Sequence, residues 1–457
     1  MTKKTKQSTF KLKARDFGNN FVWGVSTAAY QIEGAHNIDG KGVSIWDVFT
    51  TKKGAIQQNE NANTAVDFYH KYKEDILLMK SMNIPNFRFS LSWSRLIPNG
   101  EGEINLEGIN FYNRVIDFCL ECNITPWITL YHWDLPQALE EKGGWTNRDI
   151  LEWFENYASL CAKQFGDRVK HWMVLNEPMV FTGAGYFLGV HAPGQKRLKK
   201  FLPAIHHAVL CQALGGRILR NLIPNSVIGT TFSCSEVTPY RNTKKDIFAV
   251  KKADALLNRL FIEPVLGLGY PTEKVPVLKQ IKTYVHPNDM ENAKFEFDFI
   301  GVQNYTREVI KHSYYVPYIY SKIVKASNRN VKTTLMDWEV YPPSIYNMIK
   351  QFNQYKSIKK IIITENGAAF NDILQNGEIH DVDRLNYFQT YLQQVYKAKQ
   401  DGLNVEGYFA WTFTDNFEWA EGYRPRFGLV YVDFSTQKRF IKASGKWFKK
   451  FLKTLNN

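Results

Sequence analysis

Two glutamates close two apolar runs in nearly the same way: Glu177 in VLNEP (174–178) and Glu365 in ITENG (363–367), each beside an asparagine. Paired carboxyl groups can divide acid–base and nucleophilic work if the fold sets them across one gap and their environments push their pKa values apart. The ends of similar runs carry side chains of complementary character. Tyr30, Gln31 and Glu33 follow the first run, Arg88 lies in the second, and Tyr131, His132, Trp133 and Asp134 end the third. Asn176 precedes Glu177, Asn304 and Tyr305 end the sixth, and Trp411 ends the last, with Glu418 and Trp419 just beyond. Flat rings interleaved with amides, carboxyls and an imidazole suit a ligand with apolar C–H faces and a rim of hydroxyls, which describes a pyranose. Taken singly, Trp133 or Trp411 reads as core, His132 as a satisfied structural histidine, and Arg88 as a paired charge. Their coincidence with two glutamates is what points to a site.

The elements that must position these groups recur along the chain. Eight short apolar or β-branched runs occupy residues 21–30, 86–93, 124–133, 171–178, 226–234, 297–305, 359–367 and 405–413. Between them lie amphipathic stretches such as 63–82 and 147–166. Near-continuous apolar strands alternating with helices indicate a parallel sheet buried on both faces, and eight such units predict a single α/β domain, a (β/α)8 barrel. An open doubly wound sheet is the other arrangement of such units, but no GxGxxG or Walker lysine follows the early strands. The barrel is assigned to residues 19–457, behind a basic tail at 1–18 that lacks the apolar segment of a signal peptide. Chemistry in such barrels sits at the C-terminal strand ends. Glu177 on the fourth strand and Glu365 on the seventh then rise from nearly opposing walls.

Composition narrows the function classes. With 457 residues, 44% apolar and 15% aromatic, the chain can bury a large core and is not disordered. No stretch reaches the ~18 uninterrupted apolar residues of a membrane span. The net charge of +14 is spread along the chain, with small clusters at 196–200 and 442–455. In the latter, Trp447, Phe448, Phe451, Leu452 and Leu455 share a helical face, which reads as a docked terminal helix rather than a nucleic-acid or membrane device. Five cysteines make no disulfide framework, and Cys119 and Cys122 sit within a helical pattern with no second pair. The histidines lack HExxH or Cys/His ligand spacing, so neither a metal nor a cofactor is expected. These features suit a cytoplasmic protein acting on a small molecule; the oligomeric state is not legible.

Seven stretches in order (FVWGVSTAAYQIEG, RFSLSWSR, LYHWDLP, VLNEP, GVHAPG, ITENG and DNFEWAEGYRPRFGLVYVD) span residues 21 to 433. In these the chain resembles the family 1 glycoside hydrolases, retaining enzymes of the β-glucosidase and β-galactosidase type. The resemblance implies that Glu177 is the acid/base and Glu365 the nucleophile. It implies that Gln31, His132, Asn176, Glu418 and Trp419 hold the glycone hydroxyls, with Trp411 beneath the sugar, while Arg88 and Tyr305 contact the nucleophile. Trp338, in DWEVYPP, matches the aromatic wall of the leaving-group side, and Trp133 is grouped with the sugar-binding residues.

Cleaving an acetal through an oxocarbenium-like transition state needs a proton on the leaving oxygen and negative charge beneath the anomeric carbon. Arg88 beside Glu365 favours its ionised form, and a drier setting keeps Glu177 protonated. Carboxyl groups about 5–5.5 Å apart give retention through a covalent intermediate. The expected activity is hydrolysis of terminal non-reducing β-D-glucosyl, galactosyl or fucosyl residues from unphosphorylated glycosides. Three alternatives share these residues: a 6-phospho-β-glycosidase, a transglycosidase, and a non-catalytic sugar-binding barrel. Against the first, Glu418 stands where the phosphate-binding branch has a serine. Two positions depart from the commoner pattern: Gln303–Asn304 in GVQNYT, near the glycone, and Gln212, read as packing.

Overall fold

The computed structural model describes residues 10–455. Its centre is a closed barrel of eight parallel strands. They are β1 (Val22–Ser26), β2 (Asn86–Ser90), β3 (Thr125–Tyr131), β4 (His171–Asn176), β5 (Val227–Ser233), β6 (Phe299–Gln303), β7 (Ile361–Asn366) and β8 (Val405–Trp411). Each falls inside one of the eight expected runs, so the (β/α)8 assignment holds. The strands follow one another around the ring, and β1 closes it by pairing Val22 with Gly407 and Ser26 with Trp411. None of the eight strands shows an exposed side chain, and β1 to β5 begin half-buried, which is why they read as apolar runs without alternation. The runs overshoot the strands at their C-terminal ends. Ala29–Ile32, for example, is a helical turn and not the end of β1.

The principal helices are α1 (Phe68–Ser81), α2 (Leu106–Glu121), α3 (Ile150–Phe165), α4 (Leu198–Leu222), α5 (Lys244–Asp254), α6 (Pro343–Phe352), α7 (Val382–Gln400) and α8 (Ala443–Lys453). Two additions lie outside the barrel. Glu236–Pro239, Arg307–His312 and Ser321–Ile323 form a three-stranded sheet, and Val430–Asp433 pairs with Lys438–Ile441 as a hairpin. On α8, Phe448, Phe451 and Leu452 are buried, and Phe451 meets Trp23 of β1 edge-on at 4.9 Å. Residues 1–9 of the expected tail lie outside the described residues. Ala14–Phe17 form a 3-10 turn whose Ala14 and Phe17 are buried, with Phe17 packed against Trp23 at 4.9 Å.

The barrel floor is plugged by Trp127, Met173, Phe299, Ile362 and Phe409. Rings of that size fit only beside small neighbours. A Cβ on Gly24 would stand 2.4 Å from the Phe409 ring, and one on Gly229 would stand 2.4 Å from the Phe299 ring. Overpacking a filled core costs about 1–3 kcal/mol. Gly24→Ala is therefore expected to lower the melting temperature through a loss of that size, and an unchanged transition would mean the Phe409 ring yields freely.

Candidate active site

Above the plug the interior turns polar. Arg88, fully buried on β2, donates from Nη1 to Glu365 Oε1 (2.5 Å), from Nη2 to Asn176 Oδ1 (2.5 Å) and from Nε to Thr129 Oγ1 (3.1 Å). Gln303 Nε2 bridges the same two partners, reaching Glu365 Oε1 and Asn176 Oδ1 at 2.8 Å each. Tyr305 donates its hydroxyl to Glu365 Oε2 at 2.6 Å. Asn176 Oδ1 also accepts from Thr231 Oγ1 at 2.9 Å. Its amide group must then point the other way, toward His132 Nε2 at 2.9 Å. Burial, with Arg88 adding to it, pushes the His132 pKa well below its ordinary value. The ring is neutral, accepts at Nε2, and carries its proton on Nδ1, which has no protein partner.

Local backbone features aim the two glutamates. Along β7 the register against β6 slips by one residue between Ile363 and Glu365, and along β4 the register against β5 slips between Met173 and Asn176. A bulge of this kind re-aims the side chains that follow it. Glu177 then adopts a left-handed conformation (φ 44°) before Pro178, which opens a short helix, and its N–H is held by Thr231 O at 3.0 Å. Trp133 and Trp419 are also left-handed, at φ 80° and 50°. Such backbone is costly for bulky residues and concentrates at functional sites.

These groups surround a cavity of about 290 Å³. Of the predicted site residues, Glu177, Glu365, His132, Trp133, Tyr305, Trp338, Trp411, Glu418 and Trp419 line it. Arg88, Asn176 and Gln31 lie immediately behind the wall, all fully buried. Gln31 Nε2 donates to Phe417 O (2.8 Å) and Glu418 Oε2 (3.2 Å), leaving its Oε1 unpartnered. Trp419 packs on Trp133 and Trp46, each at 4.6 Å, and Trp338 leans on Tyr305 at 5.2 Å.

Some run-end residues are drawn elsewhere. Glu33 pairs with Arg95 (2.9 Å) and accepts from Tyr112 (2.5 Å), while Tyr131 accepts from Trp145. Asn304 is a strut, donating to Cys234 O and Thr306 O at 3.0 Å. Sequence reasoning did not place Gln303 and Thr231 in the network, or His191, Phe427 and Glu308 on the cavity wall. For Gln303 a signal existed: Gln303 and Tyr305 are two apart, so an extended chain turns both the same way and Asn304 away.

Electrostatics separate the two glutamates. Burial, the Glu365 charge and Glu418 push the Glu177 pKa well above the carboxylate range, against a hydrogen bond from Ser233 and the more distant Arg88. Burial raises Glu365 too, but the Arg88 guanidinium and the Tyr305 hydroxyl oppose it directly, so Glu365 is the first of the pair to ionise. Glu418 is pushed up to about 8, by burial first and then by Glu365. Among the described residues, no group of three or more His, Cys, Asp or Glu is arranged to hold a metal ion.

A barrel with two buried glutamates of unequal acidity, set among aromatic rings at its C-terminal mouth, defines a glycosidase-type site. Residues 13–457 match glycosyl hydrolase family 1, and the chain belongs to that family of retaining enzymes. It is 41% identical to a 1,4-beta-D-glucan glucohydrolase of Thermotoga neapolitana, over 96% of this chain and 98% of that protein. A solved structure of the Thermotoga maritima beta-glucosidase in complex with glucoimidazole superposes with a TM-score of 0.90 at 40% identity, covering 95% of this chain and 98% of the other. A 6-phospho-beta-galactosidase of Clostridium acetobutylicum is 33% identical over 95% of this chain and 96% of its own.

The raised Glu418 carboxyl has a consequence for stability. Between its ordinary value of 4.5 and about 8, the folded protein keeps a proton here that the unfolded chain has released. The folded state binds more protons in that window, so this group's contribution to stability falls as pH rises. Glu418→Gln removes the effect: its melting temperature relative to the parent is expected to be higher at pH 9 than at pH 5. An equal difference at both values would mean that Glu418 titrates normally.

Proposed function

We propose that the protein is a retaining β-glucosidase that releases terminal β-D-glucosyl units from unphosphorylated glycosides. The observation that carries this reading is the clamp on Glu365, whose carboxylate takes bonds from Arg88, Gln303 and Tyr305 while Glu177 faces the same cavity without a cation in contact. Glu365 Oε1 accepts two bonds and Oε2 one, so Oε2 keeps a lone pair for the anomeric carbon. In the first step Glu177 gives its proton to the glycosidic oxygen as Glu365 Oε2 bonds to the anomeric carbon, and the leaving group departs as an alcohol. In the second, Glu177, now a carboxylate, takes a proton from water, whose oxygen displaces Glu365 with net retention. Asn176 has a second amide N–H for the 2-hydroxyl, and Gln31, His132 and Glu418 hold the remaining glycone hydroxyls over Trp411, with Trp419 and Trp133 packed alongside.

Glucose as the sugar rests on the named activities of the relatives. The absence of a phosphate rests on the cavity. Its wall holds five glutamates and no lysine or arginine among the described residues, so a phosphate dianion would meet carboxyl groups and no matching cation. A cytoplasmic location is supported by five cysteines that are all unpaired and buried. No helix of the described residues is long and apolar enough to cross a membrane.

Glu365→Gln is expected to lower kcat/KM for p-nitrophenyl β-glucoside by at least about 10³-fold. Glu177→Gln is expected to lose about 10²–10⁴-fold on cellobiose, whose leaving alcohol needs a proton. The loss is expected to be smaller on the p-nitrophenyl substrate, whose leaving group does not need one. Equal losses of Glu177→Gln on both substrates would remove its role as acid, and a first-formed α-anomer by NMR would remove double displacement. The rate is expected to fall on the alkaline side as Glu177 ionises and on the acid side as Glu365 takes a proton.

A further inference from the structure

The surplus of positive charge is not spread evenly over the folded surface. Residues 240–254 and 307–332, far apart in sequence, fold into one lobe: α5 lies across the three-stranded accessory sheet, with Ala249, Ala253 and Ile310 at the contact. These two segments hold eleven lysines and arginines against three carboxylates, a local charge of +8 within the total of +14. The arginines are committed, Arg241 to Asp246, and Arg307 and Arg329 to Glu339. Six lysines are not: Lys244, Lys245, Lys251, Lys252, Lys311 and Lys322 make no ion pair with any described residue. The same lobe carries exposed rings. Phe248 is 54% exposed, Tyr314 70% and Tyr315 97%. They form one patch through Lys252, whose Nζ lies 4.9 Å from the centres of both the Phe248 and Tyr320 rings, and through Tyr314, 6.3 Å from Tyr320. Along α5 the packed face carries Asp246, Ala249 and Ala253, while Lys244, Phe248 and Lys251 share the outer stripe and Lys245 and Lys252 border it.

An apolar centre rimmed by lysines is the pattern of a helix that lies in a membrane interface, its ring in the headgroup boundary and its ammonium groups at the phosphates. We propose that this lobe docks on a bilayer surface rich in anionic lipid, with Phe248 and Tyr315 entering the interface. Charge selects the partner. A second copy of the chain would bring the same positive lobe and be repelled, and a neutral glucan would leave the lysines unused. A single-stranded nucleic acid needs open ring faces in a stepped, parallel row for successive bases. Here Lys245 stands over Tyr314 at 5.7 Å and Lys252 over Phe248 and Tyr320, so an ammonium takes one face of each ring. The rings are also turned against one another: Tyr314 is tilted 66° from Tyr320 and stands at 90° to His312. Tyrosine, with an apolar ring and a polar tip, suits the boundary between lipid and water instead. The strand Arg307–His312 runs from Glu308 on the cavity wall to this patch, so docking brings the barrel mouth close to the bilayer. The proposal does not depend on which glycoside is cleaved.

The test is sedimentation of the full chain with vesicles of phosphatidylcholine alone, and of phosphatidylcholine mixed with phosphatidylglycerol, at low and high salt. The parent is expected to bind the mixed vesicles only, and to release them at high salt. The triple variant Lys244→Glu, Lys245→Glu, Lys251→Glu is expected to weaken binding by at least about 100-fold. Phe248→Ser with Tyr315→Ser is expected to weaken it by about tenfold. A control triple on α8, Lys449→Glu, Lys450→Glu, Lys453→Glu, changes the net charge equally and is expected to stay within about fivefold of the parent. Each variant is first shown to melt with the parent. One that melts early is replaced by its glutamine counterpart, for which the lobe lysines are expected to cost at least about tenfold. Three results overturn the proposal: a parent that leaves the mixed vesicles unbound, two lysine triples that lose binding equally, or a ring variant that binds as tightly as the parent. Tighter binding to an oligothymidylate than to the mixed vesicles at the same salt overturns it in favour of a nucleic acid.

Discussion

The site depends on one buried cation. Arg88 lies on the second strand with no exposed surface, above a plug of aromatic and aliphatic side chains. A guanidinium in that position is tolerable only if its charge and donors are met, because leaving a buried charge unpaired costs about 3–5 kcal/mol. Glu365 supplies the charge and Asn176 the second acceptor. The consequences spread outward by hydrogen-bond bookkeeping alone. Asn176 turns its oxygen to Arg88, so its amide faces His132, and the imidazole proton is left on Nδ1 beside the cavity. A core requirement therefore fixes the ionisation of Glu365, the orientation of an amide and the tautomer of a histidine.

That arrangement is bought against stability at several points. Glu177 is buried with no cation in contact, Glu418 is held protonated above its ordinary range, and three residues of the wall carry left-handed backbone. Each is a local cost that the surrounding barrel offsets. The close packing of Phe409 and Phe299 against Gly24 and Gly229 lies on the floor, where nothing reacts. Bulges, strain and unpaired carboxyls lie at the opposite end of the same strands. Rigidity and cost are thus segregated along the strand axis, and the strands connect them.

The barrel was legible because its strands are hidden on both faces: a run such as KKIIITENG has no polar alternation to confuse with an exposed sheet, and its length excludes a helix. The two glutamates were legible because each ends such a run. The finer placement was not. Glu33 and Asn304 stand at run ends yet turn into the packing layer, Glu33 toward Arg95 and Asn304 toward Cys234 and Thr306. Nothing in composition announces which way a side chain turns once a strand has ended. Gln303 stands out in the sequence as a departure from the commoner pattern, but its bonds to Glu365 and Asn176 follow from strand alternation combined with a register slip that no single sequence displays. Glu308 was invisible for another reason: it belongs to an accessory sheet whose position over the barrel mouth is set by long-range packing.

The net charge of +14 would by itself recommend a phosphorylated or otherwise anionic substrate. The cavity argues the reverse, since its ionisable lining consists of five glutamates, a tyrosine, a cysteine and two histidines, with no lysine or arginine among the described residues. His132 and His191 are both driven to the neutral form by burial. Surface cations act on a ligand outside the protein, where water and salt screen them within roughly 8–10 Å. Inside the cavity the neighbours within a few ångströms decide, and there a hydroxyl is a better partner for a carboxyl than any anion. The sign of the whole molecule and the sign of its site are separate quantities, and substrate choice follows the second.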